Sequence, residues 1–195
     1  LDTTIKDIKI SKLSNPRYIK PYQLNFTMAK KPVVWECIKA HDSVSVLLYH
    51  KGLDAFLLVR QFRAAVWYNL HNSGQVGDKL GYTYELCAGL MDKGKSEEQT
   101  VKEEIYEEVG YNVDKVTRIV GTYGGLGFSG NKQTMFFAII DNDMKVSEGG
   151  GIDNEQIELF YLPVSKAREF MYDESKIKAS GLLFAFMWFF DKFKR

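Results

Sequence analysis

Six glutamates and one lysine fall within residues 97–108, EEQTVKEEIYEE, of a 195-residue chain whose formal net charge is only +1. On a helix, Glu104, Glu107 and Glu108 stand at i, i+3 and i+4, so their carboxylates leave one side within a few ångströms of each other. Glu103 with Glu107 and Glu104 with Glu108 are then like-charge i,i+4 pairs, each costing a few tenths of a kcal/mol in an isolated helix. A solvated acidic face is the ordinary account of such a run. That face normally interleaves lysines at i+4, however, and here there is only Lys102. Convergent carboxylates on a rigid element suit a hard divalent cation, which takes oxygen ligands and keeps waters for substrate phosphates. The charge is thus placed for cations that the sequence does not itself contain, Mg2+ first and Mn2+ as its substitute.

The elements around this segment must hold it in place. Ser96 with Gln99 three residues on forms a capping-box pattern, Gly110 stands where a left-handed C-terminal cap is wanted, and Val101, Ile105 and Val109 supply an apolar stripe. A helix is therefore predicted between Ser96 and Gly110, preceded by a strand at 83–87 and a small-residue turn, Ala88-Gly89. Segments 33–38, 44–49 and 55–61 are rich in branched and aromatic residues and predict strands, the last two joined at Lys51-Gly52. Residues 69–82 are polar, carry Gly74, Gly77 and Gly81, and predict a surface insertion. Strands at 116–123, 134–140 and 157–162 and helices at 164–172 and 177–193 complete an α+β reading.

Composition narrows the function classes. With 45% hydrophobic and 26% charged residues and a near-neutral balance, the chain reads as an ordinary globular protein and neither a nucleic-acid binder nor a disordered one. Residues 1–40 carry eight Lys or Arg against three Asp or Glu, a bias that suits guarding of exposed sheet edges. Cys37 and Cys87 are too few for a disulfide framework, and His41, His50 and His71 lack ligand-like spacing. No signal peptide is visible, and the apolar run 181–190 spans about 15 Å as a helix, half a bilayer core. A cytoplasmic, membrane-free protein is expected, with that run serving as a buried helix or a subunit contact.

Gly89, five residues, Lys95, seven residues, then Glu103-Glu104-Ile105-Tyr106-Glu107-Glu108-Val109-Gly110-Tyr111 resembles the Nudix box, G-x5-E-x7-R-E-U-x-E-E-x-G-U with U bulky and apolar. The segments HDSVSVLLY, QFR, ELCAGLMD, SGNKQTMFF and GGGIDNEQIEL extend the likeness from about Trp35 to Leu162 and are most similar to the UDP-sugar pyrophosphatase branch, with ADP-ribose pyrophosphatases next. Two box positions depart: Lys95 stands for a glutamate and Glu103 for an arginine. Reversal of both signs would keep any attraction between them. All three carboxylates remain.

The resemblance implies an α/β/α sandwich in which a mixed sheet lies between helices, with residues 41–195 as the Nudix hydrolase domain. Residues 1–40 would be an antiparallel β subregion that helps form a homodimer. It implies Mg2+-dependent hydrolysis of nucleotide sugars, UDP-glucose giving UMP and glucose 1-phosphate. ADP-ribose cleavage to AMP and ribose 5-phosphate is one alternative, and a non-catalytic nucleotide-sugar binding module is another. Glu104 and Glu108 become metal ligands, Glu107 a direct or water-bridged one, and the Ala88 carbonyl a backbone ligand. Glu85 adds a carboxylate, and Arg63 of Gln61-Phe62-Arg63 can fork onto phosphate oxygens. In the loop 147–155, Glu155 matches a glutamate that activates water or holds metal, with Asp153 in reserve, and the three glycines 149–151 predict mobility. Gly125-Leu126-Gly127-Phe128-Ser129-Gly130 matches G-x-G-x-x-G, but a strand follows where a helix is needed, so Gly127 is expected in a turn lining the substrate cleft, with a simple hairpin connection as the plainer alternative. Trp35 and Trp67 are candidates for base stacking, though core packing is the commoner fate of an isolated tryptophan.

Overall fold

Lys20–Met28 (β1) and Lys31–Lys39 (β2) pair antiparallel in the computed structural model, which describes residues 5, 8–151 and 156–194. Ala29 and Lys30 turn this hairpin with positive φ at both positions, the backbone sense that matches strand twist. Its side chains stay largely exposed, including Leu24, Phe26, Val34 and Trp35. Trp35 is therefore not a core residue. Its Nε1 instead donates to the Gly127 carbonyl at 2.7 Å, and the Ile38 amide donates to Phe128 O at 2.7 Å, tying the hairpin to the turn at 125–130.

The apolar segments Ser43–His50 (β3) and Ala55–Phe62 (β4) are central to a second, mixed sheet. They pair at Leu48–Leu57, Tyr49–Phe56 and His50–Ala55. Beyond these pairs the two strands part. A helix, Ala64–Asn72 (α1), follows β4 where the sequence suggests the approach to a polar insertion; Arg63 gives it no side-chain cap, so the usual start signal is missing. The expected single strand at 83–87 is two strands, because Tyr82–Glu85 (β5) stays with β4 whereas Cys87–Leu90 (β6) crosses to β3 at Leu86. This crossing fills the gap between the parted strands and leaves a cleft at its mouth.

Glu97–Glu104 (α2) begins with the expected capping box: the Gln99 amide donates to Ser96 Oγ at 3.2 Å and the Ser96 amide to Gln99 Oε1 at 3.1 Å. It does not run on as α-helix. Residues Ile105–Val109 form one π turn, which ends at Gly110 with φ 75°. Thr117–Gly124 (β7) and Asn131–Ile140 (β8) form a hairpin, so the G-x-G-x-x-G segment is its turn, with no helix behind it. β8 pairs parallel with the whole of β3, from Ser43–Gln133 to His50–Ile140, and Glu158–Pro163 (β9) lies antiparallel to β4.

Val164–Tyr172 (α3) and Ser180–Phe193 (α4) cover one face of the sheet, with Leu47, Phe56, Leu58 and Met135 in the same cluster as Phe186 and Phe189. On the other face Val44, Val46, Leu57 and Val59 pack with Val101, Ile105 and Val109. The result is the expected α+β sandwich of helix, mixed sheet and helix. The C-terminal aromatic run is mainly core: Leu182, Ala185, Phe186, Phe189 and Phe190 are buried, and Phe184 and Met187 face outward. Among the described residues no helix is long and apolar enough to cross a membrane.

Candidate active site

The cleft between the parted strands has a volume of about 790 Å3 and is lined by Arg63, Glu85, Ala88, Glu104, Glu107 and Glu108 together. Each arrives from a different constraint. Glu108 sits on the π turn, 5% exposed, and its Oε2 accepts from the Ala88 amide at 3.1 Å. Glu104, at the end of α2, lays its carboxylate across Gly89, where a Cβ would collide with it. Glu107 stands 3.8 Å from Lys93. The carboxylates do line one wall, but the π turn rotates Glu108 inward. Among the described residues no three acidic, His or Cys side chains converge into a finished metal cage.

Arg63 and Glu85 form a bidentate pair, Nε to Oε1 and Nη2 to Oε2 at 2.7 Å each, and Thr83 Oγ1 also donates to Glu85. Burial, the strongest influence on Glu85, pushes its carboxyl up, but the hydrogen bonds from Arg63 and Thr83 with the charge of Arg63 outweigh it and hold the group below its ordinary value. Burial likewise pushes the Cys87 thiol up, reinforced by Glu108 and Glu104. His50 is a satisfied core histidine: Nδ1 accepts from the Leu53 amide at 3.2 Å and Nε2 lies 3.1 Å from Asn142 Oδ1.

The loop after the carboxylate segment is anchored rather than free in its described part. The Gly150 amide donates to Glu108 O at 2.8 Å and the Gly151 amide to Glu107 O at 3.2 Å. Gly149 approaches so closely that a Cβ there would meet the Glu108 carbonyl and the Val109 backbone. The three glycines thus let the loop seat against the end of the helix. Glu155 and Asp153 lie outside the described residues.

A Nudix-domain profile matches residues 39–180. The chain belongs to the Nudix family. The uridine diphosphate glucose pyrophosphatase of Bos taurus is 32% identical over 95% of this chain and 94% of its own length. The GDP-mannose pyrophosphatase of Shigella flexneri serotype 5b is 30% identical over 86% of this chain and 84% of its own. The crystal structure of an ADP compounds hydrolase matches at TM-score 0.65 and 16% identity, covering 83% of this chain and 80% of that one, a likeness of fold.

Of the predicted site residues that the structure describes, this Nudix fold gathers all but Gly127 into the cleft. Gly127 lies in the β7–β8 turn as the acceptor for Trp35, outside the cleft lining. Trp67 packs against His71, ring centroids 4.8 Å apart. Tyr18, Ser43, Gln61 and Gln133 also line the cleft, and neither residue type nor spacing marks any of them for chemistry in the sequence. Ser43 and Gln133 are opposite each other in the β3–β8 register, 90 residues apart in the chain, a proximity that only the parallel pairing creates.

Proposed function

We propose that this Nudix enzyme hydrolyses the diphosphate of nucleotide sugars, converting UDP-glucose and water into UMP and glucose 1-phosphate. The observation that carries this reading is that Glu104, Glu107, Glu108 and Ala88 line one cleft together with the Arg63–Glu85 pair. The near full-length likeness to a uridine diphosphate glucose pyrophosphatase supports the choice of substrate.

The residues fit a hard divalent cation. All the side-chain donors are carboxylate oxygens, and Gly89 leaves room for the Glu104 carboxylate that any Cβ would displace. Glu104, Glu107 and Glu108 with the Ala88 carbonyl would hold Mg2+ or Mn2+, which supplies Lewis-acid neutralisation of the diphosphate charge. Arg63, fixed by Glu85, presents a fork-shaped cation to the phosphate oxygens. Glu155 takes the proton from the attacking water, with Asp153 as the alternative base. The water oxygen bonds to one phosphorus as the bridging P–O bond breaks, and the bridging oxygen leaves on the other product.

The exposed apolar side chains of the β1–β2 hairpin support a homodimer formed through the first 40 residues, with residues 41–195 as the catalytic domain. The free thiols of Cys37 and Cys87 suit a reducing cytoplasm.

Incubation with Mg2+ and UDP-glucose, GDP-mannose or ADP-ribose, followed by ion-pair chromatography, tests the reading. UMP with glucose 1-phosphate as the favoured products is expected. Preferred AMP release from ADP-ribose would overturn the substrate assignment, and intact substrates throughout would overturn the enzymatic one.

A further inference from the structure

A second cavity, of about 470 Å3, opens on the sheet face opposite the carboxylate helix. Ser45 and Met135 pair across β3 and β8 there, and Met135 belongs to the α4 side of the core. Ser43, Glu85, Ala88 and Gln133 line this cavity and the carboxylate cleft alike, so the two adjoin at the end of the sheet.

Ser45 is 2% exposed, and its hydroxyl has no hydrogen-bond partner among the described residues. An unpaired buried hydroxyl destabilises a fold, and alanine would remove that penalty at almost no cost in packing. The first turn of α4 lines the same cavity, and its N-cap, Ala179, supplies no side-chain cap. An unpartnered buried hydroxyl on β3 therefore faces the same cavity as a helix start that no side chain caps.

The lining says what would use it. Ser43, Ser45, Asn131 and Gln133 are neutral donors and acceptors set among the apolar Met135 and Leu182. Glu85 is the one charged residue among the described lining, and Arg63 already holds it. A cavity without a cation gives a further phosphate no counter-charge. Neutral hydrogen-bonding groups around a C–H surface do match a ring bearing hydroxyls along its edge.

We propose that this cavity holds the hexosyl ring of the nucleotide sugar, with Ser45 as a specificity-determining residue that hydrogen-bonds a ring hydroxyl. The assignment rests on the nucleotide-sugar reading above and places the sugar next to the diphosphate, on the far side of the sheet end from the carboxylates.

The test uses the full chain with 13C-methyl methionine, reading the Met135 methyl by NMR during titration with glucose 1-phosphate, UMP or inorganic phosphate. Saturable movement of Met135 with glucose 1-phosphate alone is expected. Ser45→Ala should weaken that binding about fivefold and raise KM for UDP-glucose by a similar factor, with kcat within about twofold. Its Tm should hold or rise. Gly181→Val gives a second variant, since a Cβ there lies 3.6 Å from Met135 Cε and 3.7 Å from Gln133 Oε1 and narrows the cavity from α4; it should weaken the same titration. An unmoved Met135, an equal shift with UMP or phosphate, or unchanged binding by Ser45→Ala would overturn the proposal. If the wild-type chain leaves UDP-glucose intact while glucose 1-phosphate still titrates Met135, the reaction assignment fails and the cavity assignment stands.

Discussion

Lys95 Nζ donates to both carboxylate oxygens of Glu103, at 2.6 and 2.7 Å. The Nudix box has the opposite charges at these positions, so the chain reverses both signs and keeps the attraction. The pair ties the loop after β6 to the residue immediately before Glu104. Both groups are more than a third exposed, so the expected coupling is about 0.5 kcal/mol. In a double-mutant cycle, Lys95→Glu and Glu103→Lys should each lower stability and activity, and the exchanged pair should recover most of both. Strictly additive losses would remove the pair from any positioning role.

Gly89→Ala should separate the site from the fold. The atoms that its Cβ would meet belong to the Glu104 side chain, which can swing aside. Stability should therefore change by under about 1 kcal/mol, while displacement of the Glu104 carboxylate should lower kcat/KM by at least about tenfold. Glu104→Gln and Glu108→Gln should fall further and lose Mg2+ uptake in calorimetry. Full activity in Gly89→Ala would show that Glu104 need not lie over the β6 backbone.

The Arg63–Glu85 pair has a pH signature. Glu85 is held below its ordinary value of 4.5 by bonds to Arg63 and Thr83 that outweigh the opposing effect of burial. For a depressed carboxyl, the stabilisation is present above the unfolded pKa and is lost as pH falls through the folded one. The Tm gap between wild type and Arg63→Ala should thus be constant from pH 7 to about pH 5 and close below about pH 4. A gap of the same size at pH 3 would show that Arg63 stabilises by packing alone.

What the sequence shows plainly is what local chemistry decides. Ser96, Gln99 and Gly110 are visible as caps because capping depends on residues three or four apart, and the α2 boundaries follow. The three glutamates are legible for the same reason. The inward turn of Glu108 is not, because a π turn leaves the residue spacing unchanged while altering the angle between side chains. α1 escapes because Arg63 bonds Glu85 and offers no cap signal. The crossing at Leu86 also escapes: Thr83 to Cys87 reads as one strand, and only the parting of β3 from β4 sends its halves to different partners. The Ser45 cavity depends on α4 returning to β3 from more than 130 residues away, which no local pattern records.

The two sides of α4 should respond in opposite ways. Phe186 stacks on Phe56 with ring centroids 4.6 Å apart and both rings fully buried, whereas Met187, the next residue, is 48% exposed. Phe186→Ala leaves a cavity between sheet and helix and should cost about 3–5 kcal/mol in chemical denaturation. Met187→Ala should change stability by about 0.5 kcal/mol or less if its face meets only solvent. A loss above about 2 kcal/mol at Met187, growing with protein concentration, would mean instead that the outer side of α4 is covered by a second subunit, because only an association equilibrium makes unfolding concentration-dependent. The apolar run would then be both buried helix and subunit contact, with Phe186 facing the sheet and Met187 the partner.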